Sequence, residues 1–126
     1  MPIDRVPAPG GLPFSTSVTV SGGGRWVMLA GQLGLDDDGR VDPGGVAAEA
    51  ARAFERLVAA VEAQGGTAAN IVRISAALTS LADAPDYLRA IGDAFGGDLP
   101  ASTTVQVAGL LLGAHVEVDG IALIPG

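Results

Sequence analysis

Apolar and polar positions alternate from residue 14 to residue 21 (FSTSVTVS). Val18 and Val20 fall on one face, the period of a half-buried strand, and Gly22-Gly23-Gly24 follows as a turn. Residues 26–35 (WVMLAGQLGL) are too continuously apolar for one wet face and predict a second strand. Gly31 and Gly34 interrupt it, as glycine does at a bulge or where another backbone comes close. Residues 43–64 change period. Val46, Ala50, Ala53, Phe54, Leu57, Val58 and Val61 recur at helical spacing, while Glu49, Arg52, Glu55, Arg56 and Glu62 lie largely off that stripe. Gly65-Gly66 supplies the stop. A third strand is expected over residues 70–79, where Ile71, Arg73 and Ser75 alternate against Val72, Ile74 and Ala76. A second helix is expected from residue 83 or 84 to 95. Pro85 stands in its first turn, and Tyr87, Leu88, Ile91, Ala94 and Phe95 face inward. Strands over residues 103–108 and 114–124 close the chain.

The predicted order is ββαβαββ, an α+β domain spanning residues 1–126. Its first thirteen residues, rich in proline and glycine, form an extended arm. Elements of this spacing form a single mixed sheet with both helices on one face. The other face then needs a cover, and a like sheet from another copy supplies it.

Composition narrows the function. The apolar fraction is 48% and the charged fraction 17%, which fits a packed globule, and with few aromatic residues the core must be aliphatic and tight. The formal net charge is −7, and all seven basic residues are arginines scattered from Arg5 to Arg89, so no cationic groove for nucleic acid is expected. Without lysine there is no Schiff-base chemistry, and without cysteine there is no disulfide or thiolate. No apolar run reaches the ~18–20 residues of a membrane span, and the first residues do not read as a signal peptide, so a cytoplasmic protein without membrane or nucleic-acid partners is expected. The triple acid Asp36-Asp37-Asp38 before Gly39 lacks the spaced ligands and closing glutamate of a calcium loop and reads as a solvated turn.

Chemistry-bearing residues concentrate late in the chain. His115, Glu117 and Asp119 alternate, so on one strand they share a face, either as an acid–base or metal cluster or as a polar strand end. Side chains two residues apart stand ~6–7 Å from each other, too far to converge as ligands, and neither metal nor cofactor is expected. Asp119 sits in an otherwise apolar strand, where desolvation would suit it to general acid or base work and an arginine partner would make it structural. Ser102, Thr103 and Thr104 offer hydroxyls. Ser102 as a nucleophile would need His115, the one histidine, as its base, and no nucleophile-elbow sequence surrounds it. Gln32 offers an amide, and Arg25 or Arg73 could hold an anion or pair with Asp119.

Four motifs in this order resemble the Rid (YjgF/YER057c/UK114) family over essentially the whole chain. They are Ala30-Gly31-Gln32, the alanine-rich helix after Val46, Pro100-Ala101-Ser102, and the run from Val116 to Ala122. The resemblance implies a chorismate-mutase-like fold, a homotrimer and three small-molecule clefts between subunits. It also implies hydrolysis of enamines and imines such as 2-aminoacrylate to a keto acid and ammonia. In the family an arginine directly after the Pro-Ala pair holds the substrate carboxylate, and an acidic residue near the last strand assists water. Here those positions are Ser102 and Asp119. Phe14 and Leu88 stand where some members carry tyrosine and asparagine, and Ala30 replaces a serine. Gly31, Gln32, Phe14, Leu88, Ser102 and Thr103 are therefore the expected ligand-binding residues, with Asp119 the catalytic candidate. A hydroxyl does not replace a bidentate guanidinium, and its absence costs on the order of 10²-fold in positioning. The implied deamination is thus lost or redirected. The alternatives are a non-catalytic metabolite-binding protein and, disfavoured by the charge, an endoribonuclease.

Overall fold

The structure, a computed structural model, describes residues 3–125. The elements are β1 (Ile3–Pro7), β2 (Ser15–Val20), β3 (Gly24–Leu33), α1 (Val46–Glu62), β4 (Ile71–Leu78), α2 (Ala84–Phe95), β5 (Ala101–Gln106) and β6 (Val116–Pro125). All six strands join one mixed sheet in the order β1-β2-β5-β4-β6-β3. β5 runs parallel to β2 and β4, and the other pairings are antiparallel.

The expected mixed sheet with two helices is present, with one addition. The segment expected as an extended arm carries β1, paired with β2 from Ile3 opposite Val20 onward. Proline obscured this strand, yet it is tolerated there because β1 is an edge and the register breaks between Val6 and Pro7. Arg5 fastens the hairpin, donating from Nη2 to the Ala69 carbonyl at 2.7 Å and from Nε to the Leu99 carbonyl at 3.2 Å.

Both helices cover one face. Ile74, Ala76, Leu78, Val116, Val118, Ala122 and Ile124 are buried there with Phe54, Leu57, Tyr87, Ile91 and Phe95. Phe54 lies at the centre, its ring 5.8 Å from Tyr87 and 5.4 Å edge-on from Phe95. The glycines of β3 serve the two purposes expected of them. The strand bulges between Leu29 and Gln32, around Gly31. At Gly34 a Cβ would stand 2.1 Å from the Glu49 carbonyl oxygen, so only glycine lets α1 approach here.

The opposite face has no cover. Trp26 is 63% exposed, Met28 66% and Val105 49%. Met28 lies in register with Ile121, so the apolar strip crosses from β3 to β6.

Candidate functional site

Strand register divides the expected site residues between the two faces. On the uncovered face Thr103 and Asp119 both lie in register with Ser75, giving a polar row across β5, β4 and β6. The Arg73 guanidinium donates from Nη2 to Thr103 Oγ1 at 2.9 Å, and Arg25 donates to the Gln64 carbonyl at 2.9 Å, so these arginines have partners other than Asp119. Asp119 is exposed. The desolvation expected from its apolar neighbours is absent, because those neighbours alternate onto the other face. Glu117 lies beside it in β6, with its carboxyl carbon 2.9 Å from where a Gly31 Cβ would stand, so the bulge makes room for this acid.

Ser102 and Thr104 belong to the other side. Their register partners, Ile74 and Ala76, are buried under the helices. There the two hydroxyls flank the phenol of Tyr87. Burial pushes that phenol well above its ordinary pKa of 10.0, and Thr104 and Ser102 act the other way. Tyr87 Oη is the one buried side-chain polar atom among the described residues with no partner at hydrogen-bond geometry. Phe14 and Leu88 are half-buried. Phe14 precedes β2, held by hydrogen bonds to Ala8 and Leu12, and Leu88 packs against the core. Gln32 is in register with buried Val118 and donates to the Ala30 carbonyl at 3.4 Å, bracing the bulge. Two half-sites result, with Leu88 and Ser102 on the helix side and Gly31, Thr103 and Asp119 on the bare side. β4 separates β5 from β6, so one chain does not bring Ser102 and Asp119 to a common ligand.

β2 meets β5 at a single pair, Ser15 opposite Ala101, backed by a 2.6 Å bond from Ser15 Oγ to the Leu99 carbonyl. Among the described residues no strand pairs with that edge of β5 from Ser102 onward.

His115 does not join Glu117 and Asp119. Strand β6 begins at Val116, and the alternation expected of His115 does not extend past the strand's end. Its backbone N–H donates to Glu49 Oε1 at 2.9 Å, and its Nδ1 lies 2.7 Å from Glu49 Oε2. Glu49 is 1% exposed, and the histidine ties the turn before β6 to the first turn of α1. A buried carboxylate needs such partners. The pairing was hidden because Glu49 reads as a polar residue off the stripe. Its spacing of four from Ala53 and of eight from Leu57, both buried, was the available signal. Ser102 and His115 thus have different partners, and no Ser–His pair forms. Asp36 accepts from the Asp38 and Arg40 amides, which accounts for the acidic turn.

Among the described residues no group of three or more His, Asp or Glu side chains is placed to hold a metal ion, and no helix is long and apolar enough to cross a membrane. A surface cavity of about 800 Å³ is a groove between α1 and α2 lined by Ala47, Ala51 and Ala94. It contains none of the expected ligand-binding residues, and its cations are engaged, Arg52 with Asp42 and Arg89 with Asp86, each at 3.1 Å. The catalytic candidates lie elsewhere, and the polar rows on the sheet better mark where chemistry can occur.

Comparison with known proteins gives one consistent result. Residues 7–124 match the family model described as endoribonuclease L-PSP. The mouse protein named 2-iminobutanoate/2-iminopropanoate deaminase is 35% identical over 112 residues, covering 88% of this chain and 81% of its own. Protein DfrA of Myxococcus xanthus is 38% identical, covering 88% and 85%. The crystal structure of RidA from an Antarctic Psychrobacter superposes with a TM-score of 0.76, with 31% identity over 95% of this chain and 94% of that one.

Proposed function

The chain belongs to the Rid family, and from that premise we propose that it forms a homotrimer with small-molecule clefts between subunits, where imine or enamine hydrolysis is redirected from 2-imino acids to a less anionic substrate. The single observation that carries this reading is Ser102. It stands directly after Pro100-Ala101 on β5, where the family resemblance calls for a carboxylate-binding arginine. Its immediate surroundings are hydroxyls rather than cations.

The division of the site supports assembly. Ser102 and Leu88 lie on one side of the sheet and Asp119 and Gly31 on the other, so a ligand touching both sets would sit between two copies. The uncovered face, with Trp26 and Met28 exposed, has the apolar character of a surface that another copy covers. In such a cleft Asp119 of one subunit accepts a proton from water as the water oxygen attacks the imine carbon. The C=N electron pair moves to nitrogen, which takes up a proton, and the resulting carbinolamine expels ammonia to leave a carbonyl. Phe14 and Leu88 form apolar walls in place of polar side chains, and the Glu117 carboxylate packs against Gly31.

The second reading is a binding protein without turnover, favoured by the exposure of Asp119, which in one chain has neither an arginine partner nor a desolvating wall. Nuclease action has less support, since a net charge of −7 repels a phosphate backbone.

The test is hydrolysis of 2-iminopropanoate, generated in situ, by the wild type and by Ser102→Arg. The wild type is expected to be slow and Ser102→Arg faster by on the order of 10²-fold, with circular dichroism confirming that the variant folds. Family-like turnover of 2-iminopropanoate by the unmodified chain would defeat the reading. Asp119→Asn separates the two readings, abolishing turnover of any substrate found while leaving a purely binding function intact.

A further inference from the structure

We propose that Tyr87, Ser102 and Thr104 form a neutral hydroxyl subsite that recognises an uncharged carbonyl acceptor, of the amide or ester type, on the ligand of the cleft. This rests on the cleft reading above and names the chemistry of its substrate.

The starting observation is a polar atom with nothing to do. Tyr87 is enclosed in the core between α2 and the sheet, stacked on Phe54, and its hydroxyl lacks a partner at hydrogen-bond geometry. A phenylalanine would fill the same space without a buried orphan hydroxyl. The register sets Ser102 and Thr104 on the same side of β5, facing that hydroxyl, and of the two, Ser102 begins the stretch of β5 edge that β2 leaves open.

The donor count decides the ligand's chemistry. Each hydroxyl carries one proton and can also accept. Burial keeps the Tyr87 phenol protonated far above neutral pH, so it has a proton to give, and no acceptor, Ser102 and Thr104 included, stands at hydrogen-bond geometry to take it in the single chain. Ser102, once it accepts from Tyr87, has its own proton free to give outward. No arginine or lysine side chain joins the three hydroxyls, so a carboxylate placed here would be stripped of water with no countercharge. A carbonyl oxygen takes the same proton at much lower desolvation cost. The set therefore selects against the anion for which the family's arginine is suited and in favour of its neutral isostere.

The experiment titrates the assembled, isotope-labelled protein with pyruvate and with pyruvamide, which differ only in carboxylate against carboxamide, following backbone amides by NMR. Pyruvamide is expected to perturb residues 102–104 and to bind about tenfold more tightly than pyruvate. Tyr87→Phe is expected to remove that preference while Tm holds or rises, a combination that a purely structural tyrosine would not give. Ser102→Arg is expected to reverse the preference toward pyruvate. If the wild type prefers pyruvate, or Tyr87→Phe leaves pyruvamide affinity unchanged, the hydroxyl subsite is overturned while the cleft stands, since the probes still bind there. If neither probe perturbs these amides and Ser102→Arg does not bring in pyruvate, the cleft and the subsite fall together.

Discussion

β4 and β6 present two surfaces of opposite character from one backbone. Toward the helices, Ile74, Leu78, Val116 and Val118 are fully buried. One residue along, Arg73, Ser75, Glu117 and Asp119 face a surface that carries charge, hydroxyls and, on neighbouring strands, exposed Trp26 and Met28. The first surface is finished within the chain and the second is not. Stability of the subunit therefore resides on the covered side, and association on the bare side. The proposed cleft draws on both, because the residues proposed to hold a ligand are shared between them.

The strongest way to break this division is from the covered side. Phe54→Ala removes the ring that joins α1 to Tyr87 and Phe95 and is expected to cost about 3–5 kcal/mol, read by chemical denaturation at fixed protein concentration. A loss below about 1 kcal/mol would mean that the helices are held to the sheet by something other than this cluster. On the bare side, Trp26→Lys with Met28→Lys is expected to change mass rather than fold. Sedimentation should show single subunits at micromolar concentration with helix content unchanged. Unaltered sedimentation would place the contact between copies elsewhere. The smallest effect is expected away from both faces, at Asp42. The Gly44 amide and the Arg52 guanidinium hold its carboxyl below the ordinary 3.8. A depressed folded-state pKa contributes stability above that ordinary value, lost as pH falls through the folded one. Asp42→Asn should therefore flatten the acid side of the stability profile slightly and leave its neutral region nearly unchanged. An unchanged acid limb would show that the interaction is screened in solution.

The two faces also differ in how far they could be read from sequence. The covered face was legible because burial writes a period into the chain. Alternation in residues 70–79 and the helical stripe through Ala53, Phe54 and Leu57 named most of the core. The bare face was legible as a vacancy, since two helices cannot cover both sides of one sheet. Position 102 was singled out through the family resemblance alone, not through any pattern in its neighbours. What stayed hidden depended on register. Consecutive residues Ser102 and Thr103 read as one hydroxyl cluster and in fact serve opposite faces, a separation that only the pairing with Ile74 and Ser75 reveals. Glu49 and His115 are 66 residues apart, and no local pattern joins them. Tyr87 was rightly expected to face inward, but its hydroxyl's neighbours come from β5.

The single strand pair between Ser15 and Ala101 has a consequence for motion. The ribbon of β1 and β2 is bound within itself by a ladder that breaks register only between Val6 and Pro7, and to the remaining sheet by that one pair, by the Ser15 N–H on the Pro100 carbonyl, by Ser15 Oγ and by Arg5. Few bonds must part for it to swing as a unit, so its opening free energy lies well below that of the global transition. The residue at its hinge is Phe14. Breathing of this ribbon would widen or narrow the approach to Ser102 without disturbing the helices, and the rate at which small molecules enter would then be set by a flap rather than by the core.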